Sequence, residues 1–240
     1  MMQIDAEGKY FRQLNDEIRG SQNTEIKIEN CLGQRYIGAG MSGKTLFING
    51  VPGNDLGCYL NGGTIEVNGN AQDQTGDTMN AGSIIINGSS GDATGYAMRG
   101  GKIMIRGNAG YRVGIHMKAY KEQQPLIIVG GEAGSFLGEY QAGGTIIVLG
   151  LSSKHAPMGN LCCAGMHGGR MFIRCKKLPD DLPKQVNTEV ASQKDMDSID
   201  SYLTDFCNTF KISKKDVLTE QFYLITPNTK NPYKELYTFY

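Results

Sequence analysis

The apolar positions between about Cys31 and Cys175 repeat one short pattern. Seven three-residue runs recur: Leu46-Phe47-Ile48, Ile65-Glu66-Val67, Ile84-Ile85-Ile86, Ile103-Met104-Ile105, Ile127-Ile128-Val129, Ile146-Ile147-Val148 and Met171-Phe172-Ile173. Each precedes a residue of the series Gly50, Gly69, Gly88, Gly107, Gly131, Gly150 and Cys175. Counting back from that residue, places four and two are apolar in all seven units. Side chains alternate across a strand, so these two places share a face, the one turned to a core. The place before the series residue holds Asn49, Asn68, Asn87 and Arg106, which assigns it to the outside. Asparagines stacked at this spacing predict an amide ladder.

The middle place of each run also points outward. It holds Phe47, Glu66, Ile85, Met104, Ile128, Ile147 and Phe172. Phe47, Ile85, Met104, Ile128, Ile147 and Phe172 therefore form a candidate interface, an apolar stripe on an outer face interrupted by Glu66. Such a stripe calls for a cover, either the chain's own tail or a partner.

A second glycine series, Gly38, Gly57, Gly76, Gly95, Gly114, Gly138 and Gly159, begins with four steps of 19 residues. A period of this size marks a stack of repeats. Helical periodicity does not fit beside the strand within one unit, so the predicted fold is all-β: a single-stranded right-handed parallel β-helix of about seven coils. At about 4.8 Å per coil it would be about 30 Å long. The series glycines are read as its turns, where positive φ or close backbone approach excludes a Cβ.

The flanks differ. Residues 1–30 are expected to cap the first coil: Tyr10, Phe11, Leu14 and Ile18 have helical spacing, and Thr24 to Ile28 alternates as a strand. The coils occupy 31–176. In 177–240, Met196, Ile199, Tyr202, Leu203, Phe206 and Phe210 fit one face of a short helix, with Ser192 or Asp195 as cap. Ser213 to Asp216 fits the start of a second helix. The aromatic end, Phe222 to Tyr240, is expected to lie extended along a surface.

Composition narrows the function. Lys and Arg balance Asp and Glu at 24 each in 240 residues, which argues against nucleic acid or an anionic membrane as principal partner. No apolar run approaches a membrane span, and the N-terminus lacks signal-peptide character. The six cysteines (31, 58, 162, 163, 175, 207) follow neither a disulfide framework nor a zinc pattern, which suits reduced thiols in the cytoplasm. Vicinal Cys162 and Cys163 would bridge poorly.

Candidate chemistry is sparse. Gly38-Ala-Gly-Met-Ser-Gly43 matches a dinucleotide fingerprint, but strand and turn follow it where a helix is needed. Asp73, Asp77 and Asp92 fall near turns without a calcium-repeat pattern, and are read as solvated. His116, His155 and His167 lack metal spacing and a convincing triad. The loops Lys118–Pro125 and Ser152–Leu161 interrupt the period.

The segments Ile37 to Gly43, Asn70 to Gly76, Gly100 to Arg106 and Gly168 to Arg174 resemble the Gly-x-Gly-x-Gly domain. This is the C-terminal β-helix domain of the glutamate synthase large subunit, here similar to a stand-alone domain 3 over about residues 28–176. More distantly, the chain resembles the β-helical subunit of formylmethanofuran dehydrogenase. The first resemblance implies a non-catalytic scaffold. Its partners would be a glutamine amidotransferase subunit and a flavin synthase subunit that aminates 2-oxoglutarate or a similar keto acid. FMN and iron–sulfur would belong to those partners, with no cofactor, metal or catalytic residue in this chain. The alternatives are a scaffold in a formylmethanofuran-dehydrogenase-like complex and a stand-alone β-helix binding protein, with homo-oligomer formation open to any of them. A polysaccharide-cleaving β-helix would need clustered carboxylates or basic residues on its exposed sheet. A hexapeptide-repeat acyltransferase would have an 18-residue coil.

Overall fold

The computed structural model describes residues 1–228. Its elements are β1 (Met2–Asp5), α1 (Phe11–Gly20), β2 (Glu25–Leu32), β3 (Thr45–Val51), β4 (Asn61–Asn68), β5 (Ala81–Ile86), β6 (Lys102–Ile105), β7 (Leu126–Val129), β8 (Ala142–Val148) and β9 (Gly168–Arg174), then β10 (Val186–Val190), α2 (Gln193–Phe210), α3 (Lys214–Val217) and β11 (Phe222–Pro227). All eleven strands belong to one sheet of order β1-β2-β3-β4-β5-β6-β7-β8-β9-β11-β10. From β1 to β9 every neighbouring pair is parallel. The predominantly β architecture is as expected.

The pairing aligns equivalent places of successive units, so Phe47, Glu66, Ile85, Met104, Ile128, Ile147 and Phe172 form one row across the sheet. The units also meet away from the sheet. Ala71, Ser90, Ala109, Ala133 and Met158 form a second line of parallel bridges. A third line runs through the turns, where Gly57, Gly76 and Gly95 donate to the Ile37, Leu56 and Thr75 carbonyls at 2.8 Å. Between these lines lies the core. The fourteen side chains at places four and two are at most 1% exposed.

Stacking begins earlier than the glycine pattern indicates. β1 and β2 are two further parallel rungs, with Ile26 and Ile28 buried like their counterparts. The place that pairs with Gly50 holds Cys31, so no glycine signals the repeat there, and Asn30 just before it adopts φ 54° at a register shift. Residues 1–30 thus contribute strands as well as α1, whose Leu14 and Ile18 join the core. At the other end the direction reverses: β11 is antiparallel to β9, and β10 to β11.

Each turn alternates left-handed and ordinary residues. Asp55, Gly57 and Tyr59 have φ 63°, 64° and 56°; Gln74, Gly76 and Thr78 have 59°, 71° and 50°. The middle position selects glycine for a reason the outer two lack. A Cβ on Gly76 would lie 2.4 Å from Ile103 Cδ1, inside the core. Six of the seven predicted turn glycines, Gly38, Gly57, Gly76, Gly95, Gly114 and Gly138, take this position with φ between 63° and 72°. Gly159 does not, which corrects the series. Its amide donates to Ala133 O, as that of Gly134 does to Ala109 O, so it belongs to the line before the turn. Cys163, at φ 61°, holds the seventh place and donates to Leu137 O at 2.7 Å. The loop Ser152–Leu161 displaces the register. At Gly138 the next unit's Met171 Cε would meet a Cβ at 2.5 Å, whereas the unit of Cys163 is the last and has no following parallel strand.

The C-terminal helix is longer than a short one: α2 has 18 residues. Ser192 caps it, its hydroxyl accepting from the Asp195 amide while the Asp195 carboxylate accepts from the Ser192 amide. Ser213 caps α3 in the same way through the Asp216 amide. The stretch beyond residue 228, including the aromatic residues from Tyr233 to Tyr240, lies outside the described residues.

Candidate interaction surface

Across the outward row of the sheet, burial changes between β5 and β6. Met104, Ile128, Ile147 and Phe172 are at most 1% exposed, whereas Phe47, Glu66 and Ile85 are half-buried. The cover is the chain's own α2. Its Ile199, Leu203, Phe206, Cys207 and Phe210 cluster with Met104, Leu126, Ile128, Ile147, Leu149 and Phe172, joined by Val217, Phe222 and Leu224. Phe206 and Phe210 meet edge-on at 4.8 Å between centroids. Gly130 makes room for this helix, since a Cβ there would lie 3.0 Å from Phe206 Cζ.

Polar contacts fix the helix at its edges. Lys102 Nζ donates to Asp205 Oδ2 at 2.8 Å, and Arg170 Nη1 to Ser198 Oγ at 2.7 Å. Arg174 donates to Val217 O, Leu149 O, Asp216 O and Thr219 Oγ1, which satisfies carbonyls at the end of α3. Exposing one large apolar side chain costs about 1.5–3 kcal/mol. Four such side chains from α2, Ile199, Leu203, Phe206 and Phe210, would be exposed together, so Met104, Ile128, Ile147 and Phe172 are not open docking positions. Of the six candidate interface residues, Phe47 and Ile85 remain accessible, and Ile85 already touches the α2 cluster.

The bare half carries Lys27, Phe47, Glu66 and Ile85 along the same row. Lys27 pairs with Glu29 at 2.6 Å. Asn49 donates to Glu29 at 2.7 Å and Asn68 to Asn49 at 3.2 Å, a short amide ladder. Asn87 leaves it, its Nδ2 turning to Val67 O. Asp73 and Asp92 are not merely solvated: their Oδ1 atoms accept the amides of Asp92 and Tyr111 in the next units at 2.9 and 2.8 Å.

The turn edge carries exposed aromatics, among them Tyr36, Tyr59, Tyr96 and Tyr111. His116 stacks on Tyr140 at 5.0 Å and meets Tyr96 edge-on at 5.9 Å. Asp55, at the same edge, has its carboxyl pKa raised by burial and then by Asp77. His155 lines a cleft of about 710 Å³ with Lys154, Arg174, Lys176, Lys177 and Glu220. His167 sits just before β9, its Nδ1 2.9 Å from Gly165 O.

All six cysteines are buried and free. Burial pushes Cys31, Cys58, Cys162 and Cys175 up to about 11 and Cys163 further. Their thiols stay protonated at neutral pH and are poor nucleophiles. Among the described residues no group of three His, Cys, Asp or Glu side chains is placed to hold a metal ion, and no helix is long and apolar enough to cross a membrane.

Sequence reasoning missed Gln141. It occupies a line otherwise holding Met41, Leu60, Met79, Met98, Met117 and Met166, is fully buried, and has an unpartnered Oε1. Its Nε2 donates to Gly143 O at 3.1 Å. A single polar residue in this otherwise apolar line was the available signal.

The comparisons agree with this architecture. A chain in the crystal structure of the formyltransferase/hydrolase complex from Methylorubrum extorquens, determined with methylofuran, superposes with a TM-score of 0.62. The match covers 94% of this chain and 96% of that one at 20% identity, a likeness of fold. An uncharacterized protein of Methanocaldococcus jannaschii is 42% identical over 249 residues, covering 98% of this chain and 95% of the relative. Residues 13–230 match the GXGXG motif family. With nearly its whole length so matched, and with the left-handed turn glycines in place, this chain belongs to the GXGXG motif family.

Proposed function

We propose that the chain is a non-catalytic scaffold subunit of a multi-subunit complex, its units wound as a right-handed parallel β-helix. The observation that carries this reading is the family match over residues 13–230. In the proposed division, 1–30 caps the rod, 31–176 forms it and 177–240 closes it. The glutamate-synthase-type reading places a glutamine amidotransferase and a flavin- and iron–sulfur-bearing synthase on this scaffold, with the cofactors held by the partners and the assembly in the cytoplasm. A rigid rod suits that task because each unit is held to the next along three lines, so surfaces on different units keep fixed separations.

A second reading has equal support. The similarity to a chain of the formyltransferase/hydrolase complex, nearly end to end in both chains, favours a scaffold for formyl-group chemistry. Purifying the tagged chain under native conditions from its own cells separates the two. Co-purification of an amidotransferase with a flavoprotein, visible as flavin absorbance, supports the first. Co-purification of formyltransferase and hydrolase subunits without flavin supports the second. A chain that purifies alone contradicts both.

A further inference from the structure

We infer that the bare half of the sheet is a docking surface for a second copy of this chain, related by a two-fold axis that runs along the strands through Phe47. The inference starts from Glu66, a carboxylate in an apolar row between Phe47 and Ile85, half-buried and without an ion-pair partner among the described residues. One strand to the other side of Phe47 stands Lys27. A row reading Lys27, Phe47, Glu66 complements itself when two copies meet face to face about Phe47. Each Lys27, which pairs with Glu29 of its own copy at 2.6 Å, then also opposes the other copy's Glu66, and Phe47 meets Phe47 at the centre.

The flanking rows obey the same symmetry. On one side Glu29, Asn49 and Asn68 occupy successive strands, on the other Glu25, Thr45 and Thr64. Under this axis Glu29 opposes Asn68 and Glu25 opposes Thr64, so every carboxylate faces a donor and no like charges meet. An axis across the strands would instead set Lys27 against Lys27 and Glu66 against Glu66.

The covering helix fits the arrangement. Facing sheets lie about 10 Å apart and a helix with its side chains is about 10–12 Å thick. α2 begins to cover the row at Met104, one strand beyond Ile85. The second copy's edge strand β1, with Gln3, would fall opposite Ile85 and abut α2. The helix therefore forms a step that sets the position of the incoming sheet.

Five strands at about 4.8 Å and five residues at about 3.4 Å make a face of about 400 Å² per copy. That is below the area of a standard interface, so the dimer is expected to be weak and reversible. The test is sedimentation velocity on the full chain from about 1 to about 500 µM, a range suited to an interface of this size. A concentration-dependent dimer is expected. Lys27→Glu and Glu66→Lys alone should each weaken it at least about tenfold, and the double reversal should restore it to within about threefold. Both positions are on the surface, and unchanged melting curves check that the variants fold. The proposal is overturned by a monomer at every concentration, by dimers indifferent to the single reversals, or by single losses that the double reversal does not repair. A wild-type monomer that dimerises only when residues 229–240 are deleted also overturns it, because the chain's own tail would then be the occupant.

Discussion

The outer face of this sheet has two halves built on the same backbone with different fates. From β6 to β9 the outward row holds Met104, Ile128, Ile147 and Phe172, and α2 covers all four. From β2 to β5 the row holds Lys27, Phe47, Glu66 and Ile85; among the described residues no helix covers Phe47 or Glu66, and Ile85 borders the α2 cluster. Strand period is shared, so it does not explain the difference, and the loops that lengthen two of the covered units leave the row in register. What differs is continuity. Five apolar side chains in unbroken succession, from Ile85 to Phe172, create a strip wide enough for an amphipathic helix, whose cover thins at Ile85. One apolar residue between Lys27 and Glu66 does not.

The largest effect should come from the covered half. Phe206→Ala removes a fully buried ring and is expected to cost about 3–5 kcal/mol, read as a lowered denaturant midpoint. Phe47→Ala, the matched change on the bare half, should stay within about 1 kcal/mol in the monomer. Comparable losses would mean that Phe47 is covered too. Next, Gly76→Ala adds a left-handed alanine and a methyl 2.4 Å from Ile103 Cδ1. About 2–4 kcal/mol of destabilisation is expected, because conformational strain and overpacking add.

A smaller effect is expected at the start of α2. Ser192→Ala should cost about 1 kcal/mol, a fall of about 2–4 °C in the melting midpoint. The cap is also acid-sensitive. Hydrogen bonds from the Ser192 hydroxyl and amide hold the Asp195 carboxyl below its ordinary 3.8. A depressed folded-state value stabilises above the unfolded one, so this contribution is complete at neutral pH. It fades as pH falls from near 4 through the folded value. Melting curves across that range should converge for the wild type and Ser192→Ala; a constant gap would contradict the assignment. The smallest effect is expected for Lys102→Ala. It breaks a pair to Asp205 whose side chains are 35% and 58% exposed, worth about 0.5 kcal/mol or less after solvent screening. Urea titration with replicate fits should resolve the sign.

Much of this was legible in the sequence where two constraints coincided. Alternation placed Ile84 and Ile86 in the core, and the glycine spacing fixed which strand lay beside which. Where one signal lapses, the pattern misleads. β2 has the alternation but holds Cys31 in the glycine's place, so two rungs look like a cap. Gly159 has the glycine but the wrong register, because the preceding loop changes the spacing. β10, Val-Asn-Thr-Glu-Val, is exposed over most of its length and carries no core pattern. The stripe was visible as a need for cover. Which residues supplied the cover depended on the path of residues 175–192, and residue periodicity does not encode that path.

A pile of parallel rungs has no internal reason to end, and another molecule's first rung could in principle extend the last one into a fibre. Here the chain turns back before that can happen. β11 runs against β9, and β10, which runs against β11, is the outermost strand and exposes Asn187, Thr188 and Glu189. A head-to-tail neighbour would meet β10, a strand outside the repeating units, so the unit-to-unit alignment stops there and the exposed Glu189 carboxylate would have to be buried. By closing the stack with an antiparallel pair that is not one of its repeating units, the polypeptide caps its own last rung.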